Sequence, residues 1–363
     1  MSGRVKALAM DVNDRIINYS DTILITGANG FIGPRLVKTL LDYGYYNLKC
    51  SVRSTSDLTT LRSIISSYPL NNVQICTGDL LSRQDCDRMT EGVRVIYHLA
   101  AAMRDTSFES SYINNVETTR NILNAATKGK SLRRFVNVSS LRVYSNMQLK
   151  HGALLDESCD IETDLDNRGD AYCTAKVKQE ELVTEVCKKH DLSYVTLRPG
   201  IVYGPGNKGI HRMVGRMKGK GKFSIFIHLG GENVLPMSYV DNCAEAIVLA
   251  GIKKGVDGEA FNVVDDDLPT SRSFLKLYKQ NVRKFVSLCI PYRIFYIFCC
   301  LWEKCSKLSK KQLPLTFNRN KCSAAWKGNV YSNAKLKKFL NWEPKVNFGD
   351  AMKNYFEYQK IKK

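Results

Sequence analysis

The chain has no Cys-x-x-Cys pair, and its five histidines (His98, His151, His190, His211 and His228) stand far apart. Neither residue type offers the spacing of a metal site, so zinc is not expected. The 12 cysteines are scattered, with only Cys299 and Cys300 adjacent, a usage that fits reduced thiols better than a disulfide framework. No apolar run precedes Asp11, so no secretory leader is expected, and the chain reads as cytoplasmic. Acidic residues are scarce in one region only. Residues 272–363 hold 21 basic and 4 acidic side chains, a net of +17, which leaves +2 for residues 1–271. Internal repeats and low-complexity linkers are also lacking. What remains is 363 residues at 44% hydrophobic and 25% charged, enough for a large core and unlike any disordered, collagenous or disulfide-stapled chain.

Short apolar runs at 22–26, 48–52, 73–76, 93–99, 135–138 and 194–197 read as strands, and the stretches 36–43, 111–126 and 171–188 read as helices between them. That alternation predicts an α/β fold with a doubly wound parallel Rossmann sheet. It divides into a Rossmann domain over 20–198 and a smaller C-terminal α/β substrate lobe over 199–357, the two interleaved. The lobe includes a basic, apolar helical segment over 283–311.

The first strand leads into Gly27-Ala-Asn-Gly30-Phe-Ile-Gly33 and then a helix. Glycines placed there let a backbone approach a pyrophosphate whose charge rests on the helix N-terminus. About 20 residues on, where an acidic residue would hold the ribose 2′-hydroxyl of NAD, the chain has Arg53, and no acid occupies 44–55. Arg53 suits a 2′-phosphate, which favours NADP(H) over NAD(H); the alternative is a solvated surface arginine. Asp79, after the third strand, is placed to bind the adenine or to cap a helix.

Tyr172-Cys-Thr-Ala-Lys176 puts Tyr172 and Lys176 one turn apart on one helix face. A phenol titrates near pH 10 and needs a neighbouring cation to work as an acid–base group at pH 7. Lys176 is the expected cation. Ser140, at the end of the fifth strand, sits at the carboxyl edge where ligands bind in this architecture, ready to orient a substrate oxygen.

With these motifs the sequence resembles the extended short-chain dehydrogenase/reductases, the NAD-dependent epimerase/dehydratase family, over roughly residues 22–265. The resemblance extends to His98-Leu-Ala-Ala101, Asn115-Val116, Arg198-Pro-Gly-Ile-Val-Tyr-Gly-Pro-Gly206 and Tyr239-Val-Asp-Asn242. It implies Ser140, Tyr172 and Lys176 as the catalytic set. It implies a cofactor groove formed by Gly27, Asn29, Gly30, Phe31, Ile32, Gly33, Arg53, Asp79, Leu80, Leu99, Ala100, Ala101, Asn115, Val138, Tyr172, Lys176, Pro199 and Val202. Met103, Arg142 and Tyr203 are the substrate candidates, with a salt-bridged surface arginine the favoured alternative for Arg142. A homodimer is implied by the resemblance alone.

Nucleotide-sugar members of the family carry an arginine before the Tyr-Val-Asp segment, whereas Asn233-Val-Leu-Pro-Met-Ser-Tyr239 has none. With Gly230-Gly-Glu-Asn233 ahead of it, this stretch looks more like the 3β-hydroxysteroid dehydrogenase and sterol branch. The expected activity is therefore interconversion of a lipophilic secondary alcohol and its ketone by hydride transfer. A nucleotide-sugar epimerase or dehydratase is the alternative, and a nucleotide-binding protein without chemistry a third reading. The acidic stretch Asp156, Glu157, Asp160, Glu162, Asp164, Asp166 and Asp170 either rims the site or pairs with the basic tail. The apolar window 285–302, with Pro291 and Arg293 inside and basic residues on both flanks, reads as an anchor on an anionic membrane, as a buried or substrate-lining helix, or as a span. Anchoring would put the protein on the cytoplasmic face of that membrane. Nucleic acid is not an expected partner, because the tail lysines alternate with apolar helix positions and no binding motif accompanies them.

Overall fold

The computed structural model describes residues 14–361 apart from 69–70, 104–106, 208, 220–223, 310–312 and 314. In chain order its first half contains β1 (Thr22–Thr26), α1 (Gly33–Asp42), β2 (Asn47–Val52), α2 (Thr59–Ser66), β3 (Asn72–Thr77), α3 (Arg83–Thr90) and β4 (Val93–His98). Then come α4 (Phe108–Tyr112), α5 (Thr118–Lys128), β5 (Arg134–Val138), β6 (Leu154–Leu155), α6 (Leu165–Arg168), α7 (Ala171–Lys189) and β7 (Ser193–Pro199). Seven strands form one sheet in the order β12-β7-β5-β4-β1-β2-β3, where β12 is the later strand Ala260–Val263. All its ladders are parallel. This is the doubly wound Rossmann sheet expected from the alternation.

Parallel strands covered on both faces are apolar on both, which is why they read as runs. Ile23 and Ile25 of β1 enter one core with Leu36, Val37 and Leu40 of α1, while Leu24 enters the opposite core with Ile122 and Leu123 of α5 and Leu182 and Val183 of α7. The same alternation sends Val95 and Tyr97 one way and Ile96 the other.

The helix expected over 111–126 is interrupted. A π-turn over Ile113–Glu117 separates α4 from α5. Polar side chains here bond backbone carbonyls, as Asn115 Nδ2 donates to Ser111 O (2.7 Å), Thr118 Oγ1 to Asn114 O (3.0 Å) and Thr119 Oγ1 to Asn115 O (2.5 Å). Such back-bonding competes with the helical ladder and bends helices.

After β7 the chain passes between the two layers. β8 (Ile201–Tyr203), β9 (Gly215–Lys218), β10 (Ile225–Leu229) and β11 (Met237–Tyr239) belong to the lobe, and α8 (Val240–Ile252) and β12 return to the Rossmann core. The lobe resumes with α9 (Ser271–Asn281), β13 (Ser287–Ile290), α10 (Tyr292–Leu308), α11 (Arg319–Trp326), β14 (Val330–Tyr331), α12 (Ala334–Leu340) and α13 (Phe348–Ile361). Its core is aromatic, with Tyr203, Tyr239, Phe274, Tyr278, Tyr355 and Phe356 packed together. The apolar window over 285–302 is thus two elements, β13 and the start of α10, split at Pro291, which precedes the helix where a missing N–H costs nothing.

Candidate active site

The strand order reverses between β1 and β4, and their carboxyl ends, Thr26 and His98, are paired in the ladder. At such a reversal the loops leave on opposite faces and open a crevice. The glycine loop leaves β1 there, the 99–103 segment leaves β4, and Ser140 follows β5.

The glycine loop fits a dinucleotide by what it excludes. Gly27 has φ +70°, and a Cβ on it would lie 2.9 Å from the Ala100 nitrogen; a Cβ on Gly33 would lie 2.4 Å from the Gly27 oxygen. The first position therefore needs glycine for its backbone and the third for the approach of α1 to the loop. Asn29, Gly30, Phe31, Ile32, Leu99, Ala100, Ala101 and Val202 are all accessible around this crevice, as are Arg53 and Asp79 at the ends of β2 and β3. Others of the expected groove residues are covered. Gly33, Leu80, Asn115, Val138, Lys176 and Pro199 lie under the surface, so they support the groove from below. Asn115 accepts the Ala102 N–H at 3.2 Å and so ties the 99–103 segment to the π-turn. Asp79 is no helix cap: it accepts the Leu81 N–H (2.9 Å), while Ser82 caps α3 by accepting from Asp85 N.

Ser140 and Tyr172 come together. Ser140 Oγ accepts the Arg142 N–H at 3.3 Å, opening a short 3₁₀ turn over Leu141–Val143, and the Ser140 hydroxyl stands close enough to the Tyr172 phenol to stabilise its ionised form. Burial pushes the Tyr172 phenol up to about 12, opposed first by the Arg142 guanidinium and then by the Ser140 hydroxyl. The expectation that Lys176 is the cation beside the phenol is corrected here. Lys176 is 1% exposed, and its Nζ donates to the Val138 carbonyl (2.8 Å) and to Gln179 Oε1 (2.7 Å). Burial draws its ammonium down to about 7. The cation that faces Tyr172 is Arg142, held in turn by an ion pair with Asp170.

Lys176 belongs to a buried polar chain that sequence reading missed. Gln179 Nε2 donates to Thr119 Oγ1 (2.8 Å), whose own proton goes to the Asn115 carbonyl (2.5 Å). Thr119 Oγ1 is therefore an acceptor toward His98 Nε2 (2.9 Å), which assigns the ring proton to Nε2 and leaves Nδ1 to accept from Thr26 Oγ1 (2.9 Å). Burial, and secondarily the charge of Lys176, lowers His98 to about 3, so the ring is neutral, as this pattern requires. Thr26 Oγ1 finally accepts from Ala100 N at 3.3 Å. A polar residue on the buried face of α7, three after Lys176, was the available signal.

Of the substrate candidates, Met103 is 70% exposed beside the crevice. Arg142 is half-exposed and salt-bridged. Tyr203 is corrected: at 2% exposure it packs on Tyr239 and Tyr355 inside the lobe core. It is therefore a core residue. The acidic stretch is also largely spent on structure. Glu162 pairs with Arg168 (3.0 Å), Asp170 with Arg142, and Glu157 accepts the Asn262 N–H (2.6 Å). Its meeting with the tail is mixed: Arg168 Nη1 bonds Asn320 Oδ1 (3.3 Å), and Asp160 and Asp164 share a cavity of about 710 Å³ with Lys307 and Arg319.

Arg142→Gln is expected to raise the phenol of Tyr172 further, because the first of the two groups opposing burial is lost while desolvation stays. Less phenolate is then present at any given pH, and the alkaline limb of alcohol oxidation moves to higher pH. A pH profile of kcat for the two proteins checks this; an unmoved limb assigns it to another group.

A glycine cradle at the sheet reversal, with a neighbouring serine and tyrosine above it, defines a dinucleotide-dependent enzyme of the short-chain dehydrogenase/reductase type. The sequence model of the NAD dependent epimerase/dehydratase family matches residues 23–263, and the chain belongs to that family. It is 28% identical over 353 residues to the decarboxylating sterol-4-alpha-carboxylate 3-dehydrogenase of Saccharomyces cerevisiae, an alignment covering 92% of this chain and 96% of that protein. It is also 28% identical over 246 residues to a 3 beta-hydroxysteroid dehydrogenase/Delta 5-->4-isomerase of Mycobacterium tuberculosis, covering 66% of this chain and 62% of the relative. The UDP-glucuronic acid 4-epimerase of Bacillus cereus, solved with UDP-glucuronic acid and NAD, superposes with a TM-score of 0.70 at 22% identity, covering 94% of this chain and all of that one. The leaning to the sterol branch is thereby supported, and the structural likeness adds the fold.

Proposed function

We propose that the chain interconverts a lipophilic secondary alcohol and its ketone, using NADP(H) in preference to NAD(H). The observation that carries this reading is the meeting of Ser140 and Tyr172 at the carboxyl edge of the sheet, close enough for the hydroxyl to stabilise the ionised phenol. When bound, the nicotinamide dinucleotide supplies or accepts the hydride. The chain's own residues handle the oxygen. Ser140 donates to the substrate oxygen, and Tyr172, protonated at neutral pH with its phenol near 12, gives its proton to the nascent alkoxide during reduction and takes it back during oxidation. Lys176 acts from below, its ammonium fixed by Val138 and Gln179 so that the strand end and α7 keep their spacing. The lipophilic substrate class rests on the sterol-acting relative aligned along nearly the whole chain and on the absence of an arginine in 233–239.

The preference for NADP(H) rests on Arg53, exposed at the carboxyl end of β2, with no acidic residue in 44–55. Titration calorimetry against NADPH and NADH is expected to give tighter NADPH binding, and Arg53→Asp is expected to lower that affinity roughly ten- to a hundredfold by removing a charge-assisted phosphate contact. Reduced cofactor should then be consumed steadily with lipophilic ketones. NAD binding indifferent to Arg53, with a nucleotide sugar converted and no net cofactor consumed, would make the enzyme an epimerase and end this reading.

A further inference from the structure

The helix α10 has one face inside the lobe and one outside it. Inward, Cys299 is 1% exposed, Glu303 and Ser306 are buried, and Phe295 packs edge-on against Phe317 and Trp326. Outward, Ile294, Ile297, Phe298, Leu301 and Leu308 are between 41% and 83% exposed. At 3.6 residues per turn the spacings of three, four and seven place these five in one stripe along the helix. The edge strand β13, which leads through Pro291 into the helix, adds Leu288 at 53% exposed, with Val286 just before it at 69%. Isolated apolar side chains on a surface need no explanation, but a continuous row marks an interaction site.

Charge identifies the partner. Arg293, Lys304 and Lys307 are exposed and, by the same helical arithmetic, form a row along one flank of the stripe; Arg283 and Lys284 stand exposed before β13. The single acid of α10, Glu303, is turned inward and paired with Arg319. The outward surface is therefore apolar at its centre and positive at its rim, with no carboxylate on the helix to offset it. A second copy of the chain docked by two-fold symmetry would add a second cationic row to the interface, with no outward carboxylate on either helix to pair it. A bilayer carrying anionic headgroups offers both complements at once: acyl chains for the stripe and negative charge for the rim. Geometry restricts how the helix can sit. Its 17 residues span about 25 Å, one face is committed to α11, and among the described residues no helix is long and apolar enough to cross a membrane.

We infer that α10 and β13 form an in-plane docking surface for an anionic lipid bilayer, the stripe from Ile294 to Leu308 entering the interface and the basic row meeting headgroups. This holds whatever substrate the enzyme turns over. The test is flotation of the full chain with vesicles of phosphatidylcholine mixed with phosphatidylglycerol, against vesicles of phosphatidylcholine alone. The protein is expected to float with the anionic vesicles and to be released by salt. Ile294→Glu/Ile297→Glu/Leu301→Glu alters exposed positions only and is expected to abolish flotation with circular dichroism and dinucleotide binding unchanged. Arg293→Gln/Lys304→Gln/Lys307→Gln should weaken partitioning roughly a hundredfold, about fivefold for each basic residue. Sedimentation equilibrium of the same proteins without lipid separates the other occupant. A wild-type dimer converted to monomer by the triple glutamate variant would assign the face to a second copy, and flotation of that folded variant equal to wild type would equally overturn the inference.

Discussion

Tyr172→Phe is expected to lower kcat by about 10²- to 10⁴-fold, the range for removal of a positioned acid–base group, while dinucleotide affinity changes little. The phenol stands at this edge of the sheet beside the Arg142 guanidinium and the Ser140 hydroxyl, and the substitution removes only its oxygen. Packing is preserved because the ring remains on α7. Calorimetry of dinucleotide binding beside steady-state rates separates chemistry from binding. A variant with full activity would return the protein to a nucleotide-binding role without chemistry.

The second large effect is on stability. Arg168→Met is expected to cost about 3–5 kcal/mol, the cost of breaking a buried ion pair from one side. Side chains of Arg168 and Glu162 are 2% and 3% exposed, and the guanidinium also donates to the carbonyls of Tyr144 (3.3 Å) and Arg142 (3.2 Å) and to Asn320 (3.3 Å). It thus fastens three things together: the acidic stretch, the turn that carries Ser140, and α11. Removing it leaves Glu162 charged and unpaired in the interior. Denaturant midpoints of wild type and variant check the figure, and Glu162→Gln/Arg168→Met should recover part of the loss because the stranded charge is gone. A change below about 1 kcal/mol would be that of an exposed pair and would contradict the burial.

These two expectations differ in where their grounds lie. Tyr172 was legible from spacing alone: a tyrosine and a lysine four apart share a helix face wherever that helix is found. The glycine loop was legible too, since a strand, glycines at fixed intervals and a helix lie within a dozen residues of one another. The strands showed as apolar runs because parallel strands are covered on both faces, and the family resemblance then assembled these local signals into a site. Arg168 gave no such signal. Nothing in the spacing of the seven acidic residues around it marks it out, and only packing against Tyr144 and Asn320, the latter 152 residues away, makes it a buried clamp.

The direction of Lys176 was likewise undetermined by its neighbours in sequence. A lysine one turn from Tyr172 can reach the phenol or turn under the strand, and the choice rests on Gln179 being fixed by Thr119, 60 residues earlier, and on the Val138 carbonyl. Arg142 became the cation beside Tyr172 because Asp170, 28 residues on, pairs with it at the start of α7. In the same way Pro291 marked a break in the apolar window, but which side chains of α10 face outward depended on α11 covering the opposite face. The sequence by itself determined the sheet, the cofactor loop and the placing of Tyr172 and Lys176 on one helix face, because each is written in spacings shorter than one supersecondary unit. Tertiary structure alone decided which charges are buried, which cation tunes the phenol and which apolar row is left uncovered, because those depend on partners that only the folded sheet and lobe bring within bonding distance.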